Sequence, residues 1–399
     1  MIAQGGQFLA ARMLNLKPYL LQKMFARAEE LERQGREVIH LEFGEPDFDT
    51  PAHIVAALVQ AINSGYTRYT SSAGILKLRE AIAKRLETDQ GLRFDPARQV
   101  IVTPGSKQAL FCSILATVSP GDEVIIPNPC FPAFDLAVLL AGGIPVPVFL
   151  KEELNFELDP KELAEQITPR TKMVIINSPH NPTGAVLSEA TLEQVADITK
   201  RRNLLVLSDE VYDKFVYDGY QHVSIASLPG MAERTILINS FSKSYAMSGW
   251  RLGYAAGPAA MMEAVKKIQE GSTTCAAAFC QMAGAEALKG PQRPTELMKE
   301  EFDHRRVLLI QGLNQIEGVR SLMPKGAFFA FANVTGLGMG SLELSQYLLE
   351  EAGVVTVPGE GFGMGGEGYV RFSYANSAVN LEKALKSIKE ALGKIRSGN

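Results

Sequence analysis

The stretch Leu204-Leu205-Val206-Leu207-Ser208-Asp209-Glu210-Val211-Tyr212 is the clearest indicator of the fold. Its first half is apolar without alternation, and polar side chains follow at once, which is typical of a strand buried on both faces of a parallel sheet. Similar runs occupy residues 100–103, 123–127, 145–149, 173–177, 235–239 and 252–256. Helix-like segments separate most of these runs. The alternation predicts an α/β fold in which a mostly parallel seven-stranded sheet is flanked by helices.

The pattern changes on both sides of this block. Residues 10–35 resemble one helix ending near Gly35, and the chain after residue 290 alternates charged helices with two strand-like runs, 327–333 and 369–374. A chain of 399 residues is also too long for one compact core. We therefore predict a large domain over residues 50–290 and a smaller α+β domain formed by residues 1–49 and 291–399.

Composition excludes several classes of function. A net charge of −4 gives no basic surface for nucleic acid or anionic membrane. No apolar stretch reaches the roughly 20 residues of a membrane span, and the N-terminus lacks the features of a secretory signal, so a cytoplasmic protein is expected. The four cysteines and five histidines show no metal-binding spacing, and no metal site is predicted.

Polar groups follow the apolar runs where ligands bind in α/β sheets, beyond the carboxyl ends of the strands. Gly105, Ser106 and Lys107 open a helix after the first run, and such a helix N-terminus can bind an anion. Asn181 lies in an Asn-Pro-Thr-Gly turn after the fourth run. Each motif alone is equally compatible with a capped helix or a plain turn.

Two further strand ends carry ionisable groups. Asp209 ends a strongly apolar strand, where burial would raise the pKa of its carboxyl unless a cation compensates. Lys243 is flanked by small hydroxyl residues between two apolar strands, with Ser240 and Arg251 nearby in the sequence. A buried amine near cations becomes nucleophilic, and an arginine suits a phosphate. An isolated lysine would be interpreted as a solvated one; the four strand ends together favour a phosphorylated cofactor.

The chain as a whole resembles the class I aminotransferases of pyridoxal-5′-phosphate (PLP) fold type I, and particularly the bacterial aspartate aminotransferase subgroup. The resemblance runs from Arg12 to about Leu392. Besides the strand ends, the matching segments are Leu41-Glu42-Phe43-Gly44-Glu45-Pro46-Asp47-Phe48-Asp49-Thr50-Pro51, Arg68-Tyr69-Thr70-Ser71-Ser72-Ala73-Gly74, Val357-Pro358-Gly359 and Tyr369-Val370-Arg371-Phe372-Ser373-Tyr374-Ala375.

The resemblance implies a role for each matched residue. Lys243 would hold PLP as a Schiff base and carry the proton, Asp209 would pair with the ring nitrogen, and Tyr212 and Asn181 would donate to the ring oxygen. Arg371 and Gly44 would bind the substrate α-carboxylate, together with Asn181. The other cofactor contacts would come from Gly105, Ser106, Lys107, Ser240 and Arg251 at the phosphate, from Phe131 stacked on the ring, and from Tyr69 of a neighbouring subunit. A homodimer with shared active sites is therefore expected.

The expected reaction is ping-pong transfer of an amino group from aspartate or a similar L-amino acid to a 2-oxo acid such as 2-oxoglutarate. Lys107 matches a lysine near the distal carboxylate of aspartate-type members. The segment Lys17-Pro18-Tyr19-Leu20-Leu21 and Phe43 are bulkier than usual, which leaves aromatic, branched or alanine-like donors open. A PLP-dependent carbon–sulfur β-lyase is the alternative reaction. Gly361, Gly363 and Gly366 match a dinucleotide motif, but the run after them resembles a strand rather than the required helix.

Overall fold

The computed structural model describes residues 8–10, 12–13 and 20–397. The strands of this described part, in chain order, are β1 (Ile39–His40), β2 (Val100–Thr103), β3 (Glu123–Asn128), β4 (Ile144–Phe149), β5 (Thr171–Asn177), β6 (Leu205–Asp209), β7 (Thr235–Ser240), β8 (Gly253–Ala256), β9 (Phe329–Asn333), β10 (Val354–Val355), β11 (Val357–Pro358) and β12 (Tyr369–Ser373).

The α-helices of the same residues are α1 (Leu20–Arg33), α2 (Ala52–Asn63), α3 (Leu76–Gln90), α4 (Ser106–Thr117), α5 (Ala133–Leu140), α6 (Pro160–Glu165), α7 (Glu189–Arg201), α8 (Phe241–Ser244), α9 (Ala259–Ser272), α10 (Ala278–Lys289), α11 (Arg293–Leu313), α12 (Ser341–Ala352) and α13 (Ala378–Ser397). None of the helices in the described ranges is long and apolar enough to cross a bilayer.

The central sheet has seven strands in the order β2-β8-β7-β6-β5-β3-β4. Strand β8 is antiparallel to both β2 and β7, and the other neighbours are parallel. All seven apolar runs of the sequence lie in this sheet, so the predicted α/β fold is confirmed. The strand polarity brings the carboxyl ends of β5, β6 and β7 to one edge, which is where the polar motifs begin.

Burial on both faces explains why these strands do not alternate. Leu207 and Ile236 belong to one apolar cluster, whereas Val206 belongs to a cluster on the other face and Leu237 to a third. Each of these four side chains is fully buried. Since both sheet faces are covered by helices, every position of a central strand needs an apolar side chain.

A second layer of structure is built from the two ends of the chain. Strands β11, β12 and β9 form an antiparallel sheet, and β1 pairs in parallel with β10. Helix α1 packs against α12 and β10 through Met24, Ala28 and Leu31, which recur on one helical face and meet Leu349 and Val355. The N-terminal segment is thus held by residues more than 300 positions later in the chain.

The N-terminal helix and the glycine-rich segment bear on two predictions made from the sequence. Of the helix expected over residues 10–35, the described structure shows Leu20–Arg33, and residues 12–13 form a 3-10 turn instead; residues 14–19 of this prediction lie outside the described residues. The predicted end near Gly35 is confirmed, since Gly35 has φ +83°. The glycine-rich segment forms 3-10 turns (Gly359–Phe362 and Met364–Gly366) followed by β12, so it lacks the helix of a dinucleotide site.

Candidate active site

Lys243 projects from a short helix at the carboxyl end of a central strand. Strand β7 ends at Ser240, whose hydroxyl caps α8 by accepting the backbone N–H of Ser242 at 3.0 Å. The Lys243 ammonium donates a hydrogen bond to the carbonyl oxygen of Gly44. Desolvation by burial, with smaller contributions from the charges of Arg251 and Arg371, lowers the pKa of Lys243 to about 8 against the opposing charges of Glu45 and Asp209. The amine is therefore easily deprotonated, as a nucleophile or proton carrier requires.

Asp209 ends the neighbouring strand β6 and is buried. Its carboxylate accepts the backbone N–H of Val211 at 3.3 Å. Burial raises the pKa of Asp209 to about 7, and the adjacent charge of Glu210 raises it as well, while Lys243 acts in the opposite direction. A cation bound next to this carboxylate would stabilise its ionised form and so offset the desolvation that raises its pKa. The site is therefore suited to a cationic partner.

Asn181 is held in place by a second asparagine. The side-chain oxygen of Asn177, the last residue of β5, accepts the backbone N–H of Asn181 at 3.0 Å, and its amide donates to the carbonyl of Asp209 at 3.1 Å. Burial raises the pKa of the Tyr212 phenol and the nearby Asn181 side chain acts in the opposite direction, while the ring centre of Tyr212 lies 6.0 Å from the Lys243 ammonium. The ends of β5 and β6 are thus locked together beside Lys243.

Arg371 approaches the same point from β12 of the smaller sheet. Its guanidinium is buried; it donates to the side-chain oxygen of Asn181 at 3.0 Å and to the carbonyl of Glu42. The rings of Phe329 and Phe362 lie 4.3 and 4.9 Å from it, and its Nε has no hydrogen-bond partner in the described structure. Desolvation lowers the pKa of Arg371 to about 10. A buried cation with donors to spare is suited to a carboxylate ligand.

A cradle for an anion lies at the start of α4. Gly105 has φ +81°, and a Cβ at this position would lie 2.5 Å from Nη2 of Arg251. A Cβ at Gly253 would lie 2.5 Å from the backbone nitrogen of Ser106. Arg251 is oriented by donating to the carbonyl of Ser248 at 2.7 Å. Both glycines are needed for this close approach, which gathers the amides of a helix N-terminus and a guanidinium.

Three other residues that were predicted to contact the cofactor, Ser240, Lys107 and Phe131, lie around this cradle. The Ser240 hydroxyl lies 2.8 Å from the Ser242 hydroxyl and 3.3 Å from the Leu252 carbonyl oxygen, next to β8, and its single proton can be donated to either. Lys107 lies on the first turn of α4, with its ammonium 5.5 Å from the centre of the Phe131 ring. Its pKa is lowered by desolvation and by Arg251. The structure thus brings Lys107 and Phe131 together at the rim of the cradle.

Tyr69 is not part of this assembly within one chain. Its side chain is 87% exposed. A large aromatic side chain this exposed is accounted for if another molecule covers it, as the expected homodimer would.

Some residues of the site were not found in the sequence. Asn177 was visible as the polar end of a strand, so the strand-end rule could have included it. Glu42 contacts Arg371 through its backbone carbonyl, and His40 contacts the Glu42 carboxylate. Apart from an acidic residue in an apolar run, nothing in the neighbouring sequence indicates that these two residues belong to the site. No group of three or more potential metal ligands occurs among residues 8–10, 12–13 and 20–397.

The sequence pattern of the family described as "Aminotransferase class I and II" matches residues 36–388. The chain belongs to this family. Enzymes of this family use PLP, and the residues above are of the kinds that such a cofactor needs.

Two relatives show how this aminotransferase compares with known proteins over the full length. It is 42% identical to aromatic-amino-acid aminotransferase 2 of Thermococcus litoralis and 43% identical to the aspartate aminotransferase of Pyrococcus abyssi. Each alignment covers 96% of this chain and 98% of the relative. The solved structure of Thermus thermophilus aspartate aminotransferase with maleate superposes with a TM-score of 0.92 at 39% identity, over 96% of this chain and 99% of that one.

Proposed function

We propose that this aminotransferase binds PLP through Lys243 and moves the amino group of an L-amino acid, aspartate or a similar donor, to a 2-oxo acid such as 2-oxoglutarate by a ping-pong mechanism. One observation carries the proposal: Lys243, Asp209 and Arg371, from three different strands or strand ends, converge on one buried point with shifted pKa values. Perturbed ionisable groups gathered in this way are characteristic of active sites.

The residues present fit the cofactor. The N-terminus of α4 with Arg251 would hold its phosphate, because Gly105 leaves the space that a side chain would fill. Asp209 would pair with the protonated ring nitrogen, which supplies the missing cation. Tyr212 and Asn181 would donate to the ring oxygen. When bound, PLP supplies a ring that withdraws electrons from the substrate Cα.

The side chains of the protein would then divide the work of the reaction. Arg371 would hold the α-carboxylate of the substrate, with its guanidinium already oriented by Asn181. The Lys243 amine would take the proton from the substrate Cα and deliver it to the C4′ carbon of the cofactor, since its pKa near 8 allows both protonation states at neutral pH. Phe329 and Phe362 keep water away from Arg371 and so strengthen its attraction for an anion.

The identity of the donor is the finer part of the proposal. Lys107 lies at the rim of the site with a positive charge available for a distal carboxylate, which favours aspartate. Phe43 lies between Glu42 and Gly44 and is 37% exposed, so its ring is available to an aromatic donor. The residues 17–19, which also bear on this choice, lie outside the described structure. Aspartate is the first candidate, and aromatic amino acids are the second.

A half-reaction screen would test the function and identify the donor. The PLP-loaded protein is mixed with single amino acids without an oxo acid, and the visible absorption of the bound cofactor is followed. A donor should bleach this band once per site, and 2-oxoglutarate should restore it. Aspartate far slower than phenylalanine, leucine and alanine would contradict the dicarboxylate preference. Continuous release of pyruvate and ammonia from a suitable donor would identify a lyase instead.

Capture of PLP by the cofactor-free protein should become faster as pH rises through about 8. Only the neutral amine reacts with an aldehyde, and an ordinary lysine with a pKa near 10.4 would give an inflection about two units higher. The initial rate of change in absorption measures the effect. Lys243→Ala is the control, and it should lack the inflection; the same inflection in both proteins would show that another amine captures the cofactor.

We also propose a cytoplasmic homodimer in which Tyr69 reaches the cofactor phosphate of the partner, and in which residues 50–290 and the two flanking segments, 1–49 and 291–399, form separate domains. The exposed Tyr69 supports the shared site. Mixing Tyr69→Ala with Lys243→Ala should restore activity, because about one site in four would carry both native residues after subunits exchange. Mixtures no more active than the Tyr69→Ala protein diluted to the same extent would contradict shared sites.

A further inference from the structure

A buried glutamate, Glu42, contacts Arg371 through its backbone and pairs through its side chain with the half-buried His40. Glu42 is wholly buried, and its backbone carbonyl is one of the two acceptors of Arg371. One carboxylate oxygen of Glu42 lies 2.7 Å from Nδ1 of His40, and the other has no hydrogen-bond partner in the described structure. The chain at this point runs beside β12, since the N–H of Ser373 donates to the carbonyl of Leu41 at 2.7 Å. The backbone of Glu42 therefore contacts the guanidinium of Arg371, and the charge of its side chain acts on Arg371 from further away, where it raises the pKa of the arginine against the larger effect of burial.

His40 is held so that it can neutralise this anion. The His40 ring stacks on the Phe43 ring with 5.2 Å between ring centres, and Phe25 of α1 packs edge to face against the Phe43 ring. The second nitrogen of His40 lies 3.2 Å from Glu32. The hydrogen bond with Glu42 raises the pKa of His40 to about 9, so the ring is cationic at neutral pH.

We infer that the half-buried His40 and the buried Glu42 form a charge pair that sets how strongly Arg371 binds the carboxylate of a substrate. An unpaired Glu42 would compete with the ligand for Arg371, because charges interact strongly where water is excluded. His40 cancels that charge, and Phe43 fixes the histidine in position. Glu42 and His40 are thus positioning residues, and the inference rests on the proposed role of Arg371.

The inference predicts opposite effects for the two members of the pair. His40→Asn leaves the Glu42 charge uncompensated and should weaken carboxylate binding by about tenfold. Glu42→Gln removes the competing anion and should tighten binding by about threefold. In the double variant both charges are gone, and affinity should return to within about twofold of the native value. A purely structural role predicts that every change weakens binding and that the double variant is the weakest.

The test measures equilibrium binding of two unreactive carboxylates, maleate and 3-phenylpropionate, to the PLP-loaded proteins by calorimetry near neutral pH. Glu32→Gln is the matched control. Glu32 also pairs with His40 but is more exposed to water than Glu42, so losing its charge should change the affinity for the carboxylate by less than about twofold. A double variant as weak as His40→Asn, or a His40→Asn protein that binds normally, would overturn the inference. Should His40→Asn fail to fold, Glu42→Gln alone decides: unchanged or weaker binding would overturn it.

The experiment separates this inference from the proposed function. If the native protein binds neither carboxylate, the assignment of Arg371 to the substrate carboxylate is wrong and the proposed function loses its support. If the native protein binds one of them and the variants do not show the expected opposite signs, only the role of the His40–Glu42 pair is wrong.

Discussion

Replacing Lys243 with alanine should lower kcat/KM for transamination by about 10⁴-fold. The buried amine with a pKa near 8 is at once the group that would bind the cofactor and the group that would move the proton. The variant should still bind PLP through the phosphate cradle, because Gly105, Ser106 and Arg251 are unchanged. Steady-state kinetics measures the loss, and borohydride reduction followed by peptide mass analysis locates the attachment in the native protein.

Lys84→Ala is a suitable control for this prediction, because Lys84 is a largely exposed lysine paired only with Glu87 on α3. Its activity should equal that of the native protein. A borohydride-stable adduct at another lysine of the Lys243→Ala protein, formed at the native rate, would show that Lys243 is not the attachment residue.

Asp209→Asn should lower kcat by about 10³-fold while the shape of the side chain is kept. Removing one member of a buried charge pair costs about 3–5 kcal/mol, which corresponds to a factor of 10²–10⁴. The effect of Asp209→Asn on the free energy of unfolding should also have opposite signs in the cofactor-free and the PLP-loaded protein. The folded-state pKa of Asp209 is raised from 3.8 to about 7, so the free energy of unfolding of the cofactor-free protein falls as pH rises between these values, and the full loss is present above about 7.

Thermal unfolding at a pH above about 7 would reveal this change of sign. The cofactor-free Asp209→Asn protein should unfold at a higher temperature than the native one, whereas the PLP-loaded variant should unfold at a lower temperature. Asp197→Asn, at an exposed position on α7, should change neither value nor the activity. A variant that is less stable in both forms would indicate that Asp209 is a structural residue rather than the partner of a cation.

The sheet was predictable because buried parallel strands leave a strong local signal. All seven runs were located, and the helices between them followed from their spacing. The antiparallel direction of β8 was not predicted. Between β7 and β8, residues 241–252 hold only the four-residue α8 and the 3-10 helix Ser248–Trp250, so no helix there is long enough to run back along the sheet as the crossover between parallel strands does. The helix predicted over residues 10–35 was also wrong at residues 12–13, which form a 3-10 turn although apolar residues nearby resemble those of a helix.

The site was predictable where it follows central strands, and only there. Gly105, Asn181, Asp209 and Lys243 stand at strand ends, so their sequence positions alone indicated that they would meet. Arg371 and Gly44 belong to other parts of the chain, and only the family resemblance pointed to them. The His40–Glu42 pair could not be anticipated, because it matters through contact with a residue 329 positions away. The role of Tyr69 remains a prediction, since it depends on a second chain.

The pairing of β1 with β10 has a consequence for how the enzyme is made. During synthesis the segment around Leu41, fully buried in the finished protein, leaves the ribosome hundreds of residues before its partners. The seven central strands can assemble once residue 256 has emerged, whereas Gly44 and Glu42 must wait for β10 and β12. A long delay of this kind exposes apolar surface to aggregation and to chaperones. The half of the site that we propose to bind the substrate carboxylate is accordingly the last part of the molecule to be completed.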